Sequence, residues 1–245
     1  MRSTMNPPET IEISVVVPVF NEEENLPILI PKLAEVLNQI GRPYEMIFVD
    51  DGSSDGSRKI LKEMLSQYPS LRMIGLKENR GLSTALMAGM KEAQGEWIVT
   101  LDSDLQNDPE DIPKLMAYLD RYDMATGWRQ KRRDTGLKKI SSKIANSVRN
   151  WLSGEKIKDS ACTLRVFKRE CLNDIFVFNG MHRFLSTLVK MQGYRIIEVP
   201  VSHHTRKFGK SKYNIRNRTW RAFVDLLVVR WMKRRRIDYE IDERI

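Results

Sequence analysis

Cysteine and histidine are scarce in this sequence, which contains two cysteines and three histidines in 245 residues. Cys162 and Cys171 share no short motif spacing with each other or with a histidine. A disulfide framework and a structural zinc site are therefore disfavoured. We expect both thiols to be ordinary buried side chains of a protein that works in a reducing cytoplasm.

Long apolar runs are also missing. The first ten residues, MRSTMNPPET, lack the apolar stretch of a secretory signal, and no later run reaches the roughly 18–20 apolar residues that span a bilayer. If the chain works at a membrane, we expect it to lie on the surface or to dock on a partner within the membrane. A hydrophobic content of 41% is enough for one large domain with a full core.

Positive charge is unevenly spread along the chain. The formal net charge is +9, but residues 127–149 alone carry +7 and residues 206–236 carry +11, which leaves −9 for the rest. This asymmetry predicts a neutral-to-acidic body with two basic segments that face an anionic partner.

Apolar runs typical of strands alternate with helical patterns through the first hundred residues. Strands are predicted at 13–20, 44–49, 71–76 and 97–101, and helices near 25–37, 56–67 and 81–93. This alternation predicts an α/β fold with a doubly wound, mostly parallel sheet and right-handed crossovers. No boundary between domains is evident before about residue 205, where the composition becomes basic.

Acidic and small polar residues follow three of the predicted strands. Ligands of such sheets bind at the carboxyl ends of the strands, so we expect these side chains to converge on one edge. Asp102 and Asp104, with Gln106 nearby, offer the oxygen ligands that Mg²⁺ or Mn²⁺ prefers. The other residues at strand ends are Asn21, Glu22, Asp50 and Asp51.

Each acidic cluster also has a simpler interpretation. The pair Asp102 and Asp104 is compatible with a solvated turn before the helix at Pro109. Asp50 and Asp51 open a segment rich in turn formers, where a carboxylate often caps a helix. The functional alternative is that one of these two carboxylates binds a nucleobase or a ribose.

Four segments together resemble a known enzyme family. They are VVVPVFNEEENL, FVDDGSSDGS, NRGLSTALMAGMKEAQGEWIVTLDSDLQNDP and HHTRKFGKSKY. In this order and at these separations they resemble the polyprenol-phosphate, dolichol-phosphate mannose synthase-like branch of the family-two inverting glycosyltransferases, over residues 11–215. The resemblance implies a glycosyltransferase A-type, Rossmann-like nucleotide-sugar domain at 11–213. Outside this domain we expect a flexible N-terminus at 1–10 and, from the basic composition and an apolar stripe, a basic amphipathic extension with a helix at 214–245.

The resemblance also implies roles for individual residues. Asp102, Asp104 and Gln106 would hold the metal, Ser103 would lie beside the sugar nucleotide, and Arg129 would contact phosphate. The nucleotide pocket would be lined by Pro18, Phe20, Glu22, Val49 and Asp51. Arg206 and Lys212 would bind the donor and acceptor phosphates and, with Asp104, would carry catalysis. Phe20 stands where many relatives have tyrosine, and many relatives continue into membrane helices.

The acceptor is predicted to be a phosphate. Transfer to a hydroxyl needs a general base, and the Glu-Asp pair and QxxRW pattern of relatives that use hydroxyl acceptors do not occur here. A phosphate monoester, whose second pKa is about 6, is already ionised and needs cations instead. Arg206 offers a planar fork, Lys212 a point charge, and Gly209 a close backbone approach.

Two apolar stripes at helical spacing are flanked by basic residues and are typical of helices at a membrane surface. One lies within 137–152. The other contains Trp220, Phe223, Val224, Leu227, Val228 and Trp231. The alternative for both is a face that packs in a core or an oligomer.

We expect a peripheral protein of the cytoplasmic membrane face that takes part in cell-envelope glycan synthesis. We also expect a separate integral-membrane partner, and a homo-oligomer stays open.

Three other functions compete with transfer of a hexose from a UDP- or GDP-sugar to polyprenyl phosphate. A transferase with a saccharide hydroxyl acceptor would share the fold but lacks the expected base. Nucleic-acid binding is suggested only by the isoelectric point near 9.5, and no groove-reading motif supports it. Nucleic-acid binding would also leave the three acidic strand ends unexplained. A silent membrane scaffold is disfavoured by the intact DxD and RxxGxSK patterns.

Overall fold

A seven-stranded sheet forms the centre of the computed structural model, which describes residues 10–129, 157–208, 215–235 and 243, with only the backbone of 215–222. The strands are β1 (Ile13–Val19), β2 (Tyr44–Asp50), β3 (Leu71–Gly75), β4 (Trp97–Thr100), β5 (Met124–Arg129), β6 (Arg165–Lys168) and β7 (Ile196–Val201). The α-helices are α1 (Leu26–Ile40), α2 (Ser57–Met64), α3 (Leu82–Glu92), α4 (Ile112–Met116), α5 (Leu185–Met191) and α6 (Ile215–Arg235). The predicted helix within 137–152 lies outside the described residues.

The strand order is β3-β2-β1-β4-β6-β5-β7. The first four strands of this order are parallel, as the βα alternation predicts, and β7 is parallel to β5. Strand β6 runs antiparallel to both β4 and β5. The predicted α/β, mostly parallel sheet is therefore confirmed. The antiparallel strand β6 was not predicted, because its four residues are too few to show a clear strand pattern in the sequence.

Helices cover both faces of the sheet because its central strands are apolar on both sides. Along β1, Val15 and Val17 enter the core shared with α1 and α2, while Val16 enters the core shared with α3, α5 and α6. This alternation follows from the two-residue repeat of a strand. The two cores hold the carboxyl ends of β1, β2 and β4 at one edge, which is where the candidate site lies.

Helix α3 approaches the sheet very closely at Gly89. A Cβ atom at this position would lie 2.4 Å from Cγ1 of Val16 and 2.9 Å from Cγ2 of Val49. Glycine therefore removes the side chain that would hold the helix away from β1 and β2. The close contact places the first turn of α3 next to the loop that follows β2.

Helix α6 is apolar on two opposite faces. Leu226 and Val229 are buried in the core with α3 and α5. The predicted stripe lies on the other face, where its described members are exposed: Phe223, Val224, Leu227, Val228 and Trp231. The described members of the stripe therefore do not pack in the core that the described residues form. The described helices include none that is both long and apolar enough to cross a membrane.

Candidate functional site

The segment after β4 turns sharply and presents its acidic residues. Ser103 Oγ donates to the carbonyl oxygen of Pro18 at 2.9 Å, which joins this segment to the end of β1. Leu105 has a φ of 60°, a left-handed conformation that is unfavourable for a branched side chain. The turn lets the backbone N–H of Gln106 donate to Oδ1 of Asp104 at 3.1 Å. The structure thus brings Pro18, Ser103, Asp104 and Gln106 together, as the sequence predicts.

Asp102 and Asp104 interact electrostatically. Burial, followed by the charge of Asp104, raises the pKa of Asp102 to about 6, against the opposing influence of Thr163, Arg165 and Arg129. Two nearby carboxylates repel each other, and a cation that binds both relieves that repulsion. Their side chains are the hard oxygen donors that a magnesium or manganese ion takes.

The donor set fits such an ion with room for substrate. Among the residues whose placement is described, no group of three or more His, Cys, Asp or Glu side chains could hold a metal. An ion held by Asp102 and Asp104 would complete its shell with phosphate oxygens and water. That arrangement suits an ion that binds together with a diphosphate.

Arg206 reaches the same acidic segment from the loop after β7. Its Nη2 donates to Oδ2 of Asp104 at 2.6 Å, a charge-assisted hydrogen bond. Two residues earlier, His204 Nε2 lies 2.9 Å from Oδ2 of Asp108. A cationic side chain that is 102 residues away in sequence therefore lies beside the proposed metal ligands. Lys212, its predicted companion, lies outside the described residues.

The carboxylates after β2 organise the neighbouring loops. Asp51 accepts hydrogen bonds from the backbone N–H groups of Arg80 at 2.7 Å and Gly81 at 2.8 Å, at the start of α3. Burial raises the pKa of Asp51, and these two N–H groups partly offset the shift. Asp50 is fully buried and accepts from Nε of Arg58 at 2.5 Å. Oδ1 of Asp50 also accepts the backbone N–H of Ser53 at 3.0 Å, which is a contact of the predicted turn. A nucleoside contact of Asp51 stays a prediction.

The other predicted nucleotide-pocket residues lie at the same edge. Pro18 and Val49 are register partners on β1 and β2, and both are buried. Glu22 is also buried, and its Oε2 accepts a hydrogen bond from Nδ2 of Asn25 at 2.5 Å. Phe20 is partly exposed at the end of β1. Phe20 is therefore the member of this set with the most exposed side chain for a planar base to contact.

Arg129 has a partner that the sequence does not predict. Its Nε and Nη2 donate to the two carboxylate oxygens of Asp159 at 2.7 and 2.9 Å. A guanidinium engaged in this way binds phosphate only through its three remaining N–H donors or after leaving the carboxylate. Asp159 follows a basic segment in sequence, and no motif marks it.

Two more polar residues near the site, the buried Arg165 and the partly exposed His182, have contacts that the sequence does not predict. Arg165 is 1% exposed, its Nη2 donates to the carbonyl oxygens of Ser160 and His182, and its charge lowers the pKa of Asp102. His182 Nδ1 lies 2.7 Å from Oγ of Ser83 on α3. His182 thus joins the loop before α5 to α3, consistent with a structural role.

Comparisons with known proteins agree with this architecture. The family model described as "Glycosyl transferase family 2" matches residues 14–176. The chain is 37% identical over 240 residues to dodecaprenyl-phosphate galacturonate synthase of Rhizobium johnstonii, which covers 96% of this chain and 71% of that protein. It is 40% identical over 205 residues to undecaprenyl-phosphate 4-deoxy-4-formamido-L-arabinose transferase of Pectobacterium carotovorum, covering 82% of this chain and 62% of that protein.

A solved structure shares the fold at lower identity. Glucosyl-3-phosphoglycerate synthase from Mycobacterium tuberculosis, in complex with Mn²⁺, uridine diphosphate and phosphoglyceric acid, has a TM-score of 0.66, 19% identity, and covers 91% of this chain and 78% of that chain. This likeness shows the glycosyltransferase A-type fold. With a family model that covers most of the chain and two curated relatives above 35% identity, this chain belongs to glycosyl transferase family 2.

Proposed function

We propose that this glycosyltransferase moves a hexose from a UDP- or GDP-sugar to polyprenyl phosphate, with inversion at the anomeric carbon. The observation that carries the proposal is the meeting of Asp104 and Arg206 at 2.6 Å beside Asp102. A metal-binding pair of carboxylates and a phosphate-binding cation are what a reaction between two phosphates needs. The names of both curated relatives support a polyprenyl-phosphate acceptor.

The proposed mechanism consists of positioning and electrostatics. Asp102 and Asp104, with Gln106, would hold Mg²⁺ or Mn²⁺, which would supply positive charge for the leaving diphosphate. Arg206 and Lys212 orient the lipid phosphate against the anomeric carbon. An oxygen of that phosphate forms the new bond to this carbon while the bond to the nucleoside diphosphate breaks on the opposite face.

No general base is required in this mechanism. The second pKa of a phosphate monoester is about 6, so at neutral pH the attacking oxygen already carries its charge. Bond formation and bond cleavage balance without a proton transfer, and both products leave as phosphate esters. The cationic environment of the site is therefore more important than a proton acceptor.

The proposed workplace is the cytoplasmic face of the membrane. The outer stripe of α6 is exposed, and the helix ends with Lys233, Arg234 and Arg235. Phe176, whose exposed fraction is 55%, lines a cavity of about 320 Å³ together with Met232 of α6. Exposed apolar side chains beside basic ones favour an anionic lipid surface. We also propose a separate integral-membrane partner that uses the lipid-linked sugar, and self-association of this chain.

The decisive assay uses purified protein, Mg²⁺ or Mn²⁺, a short-chain polyprenyl phosphate, and a panel of radiolabelled UDP- and GDP-sugars that includes UDP-galacturonate. We expect label in the organic phase from at least one donor, and its loss with EDTA. Metal-dependent donor hydrolysis without lipid product would instead favour a hydroxyl acceptor. Lipid binding with no turnover of any donor would favour a scaffold.

The central residue of the proposal is tested by Asp104→Asn. We expect transfer to fall by at least about a hundredfold, because loss of a preorganised electrostatic contact at the reacting charge typically costs that much. Asp120→Asn, which changes an exposed carboxylate, is the matched control and should retain full activity. Full activity of the Asp104→Asn variant in the presence of metal would contradict the mechanism.

A further inference from the structure

We infer that Arg206 and the divalent ion compete for one oxygen of Asp104, so that metal binding releases Arg206 to bind phosphate. This inference rests on the metal site of the proposed function. Nη2 of Arg206 is 2.6 Å from Oδ2 of Asp104, while Oδ1 already accepts the backbone N–H of Gln106 at 3.1 Å. Both oxygens of Asp104 are thus engaged by the protein itself. An ion that Asp104 ligates through Oδ2 takes over the position that the guanidinium holds.

The position of Arg206 is supported by the backbone of its own loop. The N–H of Ser202 donates to Oδ2 of Asp111 at 2.6 Å, and the N–H of His204 donates to the carbonyl oxygen of Gln106 at 2.9 Å. These bonds hold the loop after β7 along the segment that follows β4. Arg206 therefore points at Asp104 from a tethered loop.

Electrostatic repulsion opposes simultaneous binding of the Arg206 guanidinium and a divalent ion to Asp104. The Arg206 and Asp104 side chains are only 28% and 11% exposed, so the charges are poorly screened. A guanidinium and a divalent ion on the same carboxylate repel each other at a few ångströms.

The competition has a consequence for the order of binding. While Arg206 donates to Asp104, that donor of its fork is not available to a phosphate. With an ion on the carboxylates and the donor diphosphate on that ion, the guanidinium would be free to turn towards phosphate oxygens, which it binds well in a bidentate manner. Arg206 thereby couples loading of the donor to capture of the acceptor phosphate.

The test is the affinity of the full chain for Mn²⁺ alone, measured from the electron paramagnetic resonance signal of free aqueous Mn²⁺. We expect Arg206→Gln to bind Mn²⁺ roughly three- to tenfold more tightly than the wild type, because a competing charge-assisted bond of modest strength is removed. The same variant should lose transferase activity. A variant that loses its structure would bind Mn²⁺ more weakly. Tighter Mn²⁺ binding together with lower transferase activity therefore indicates that Arg206 and the ion compete for Asp104.

The matched control is Lys207→Gln, which removes the same charge from the exposed neighbouring residue. We expect its Mn²⁺ affinity to stay within about twofold of wild type, since solvent screens an exposed charge. Arg206→Lys keeps the charge but not the fork and should fall between wild type and Arg206→Gln. A thermal melt followed by circular dichroism verifies that each variant is folded.

Two results would overturn the inference. Unchanged or weaker Mn²⁺ affinity in folded Arg206→Gln would show that Arg206 does not compete for the ion. Equal tightening in Arg206→Gln and Lys207→Gln would show a general charge effect instead. If wild type and Asp104→Asn bind Mn²⁺ equally poorly, the metal site itself is refuted, and this outcome is distinct from the other two.

Discussion

Gly52 is the residue on which the loop after β2 depends. It has a φ of +71°, and a Cβ there would lie 2.6 Å from the backbone nitrogen of Asn79. The neighbouring Asp51 binds the start of α3, so this loop and the α3 loop are in contact at two successive residues. The close approach needs glycine both for conformation and for space.

Gly52→Ala should therefore be strongly destabilising. We expect a loss of about 2–5 kcal/mol, from a left-handed conformation at about 1–2 kcal/mol and a backbone clash at about 1–3 kcal/mol. Gly41→Ala is the matched control because Gly41 has a similar φ of +70° but nothing within 4 Å of an added Cβ. The free energies of unfolding come from urea titrations. Equal losses in the two variants would contradict the clash.

The site residues differ in how far sequence could predict them. Asp102 and Asp104 follow an apolar strand directly, so their place at the strand end follows from local order. The partner of Arg129 could not be predicted, because Asp159 reaches it only after the chain folds back 30 residues later. Pairs that depend on such a return are set by packing of the whole sheet.

Among the elements, α6 carries the clearest structural information about a partner. A helix with apolar residues on opposite faces needs two apolar surroundings, and among the described residues the core covers only one of these faces. Val228 and Val229 are identical neighbours on these two faces, with exposed fractions of 41% and 0%.

Replacing each valine by serine separates the two roles. Val229→Ser should destabilise the protein by about 2–3 kcal/mol, because it removes buried apolar contacts and buries a hydroxyl. Val228→Ser should change stability by less than about 0.5 kcal/mol but weaken binding to anionic lipid vesicles. Thermal melts and vesicle co-sedimentation measure the two effects. Unaltered vesicle binding by Val228→Ser and by the further change Trp231→Ser would refute a lipid-facing stripe.

Over the whole molecule, Asp123 joins the second half of the sheet. It precedes β5, its Oδ2 accepts the backbone N–H of Arg195 at 2.9 Å, and its Oδ1 lies 3.1 Å from Nζ of Lys168. Burial alone would raise the pKa of Asp123, but these hydrogen bonds and charges lower it below the ordinary value. Strands β5, β6 and β7 thus meet at one ionised carboxylate.

The sign of the pH dependence follows from this lowered pKa. Because the folded pKa of Asp123 lies below the unfolded value of about 3.9, its contribution to stability is present above that value and is lost as pH falls through the folded pKa. Asp123→Asn should lower the free energy of unfolding at pH 7, and by progressively less as pH falls below about 4. Urea titrations at several pH values measure this. A difference that does not depend on pH would point to packing rather than charge, and the exposed Asp120→Asn should show none.

The sequence alone determined the parallel half of the sheet and the acidic edge. Strands β1, β2 and β4 are apolar on both faces, and a chain that alternates such strands with helices must place their carboxyl ends, with Asp51, Asp102 and Asp104, on one side. These features depend on periodicity and on chain order, both of which are local properties of a sequence.

Only the tertiary structure decided which charges meet. The antiparallel insertion of β6, the pairing of Arg129 with Asp159 and the contact of Arg206 with Asp104 join segments that are 30 to 102 residues apart. The same holds for α6, whose apolar residues could have been assigned to core or surface in either way until packing against α3 and α5 selected one face. These contacts depend on long-range packing and on the charge of the side chain that each residue meets. Neither leaves a periodic signal in the sequence.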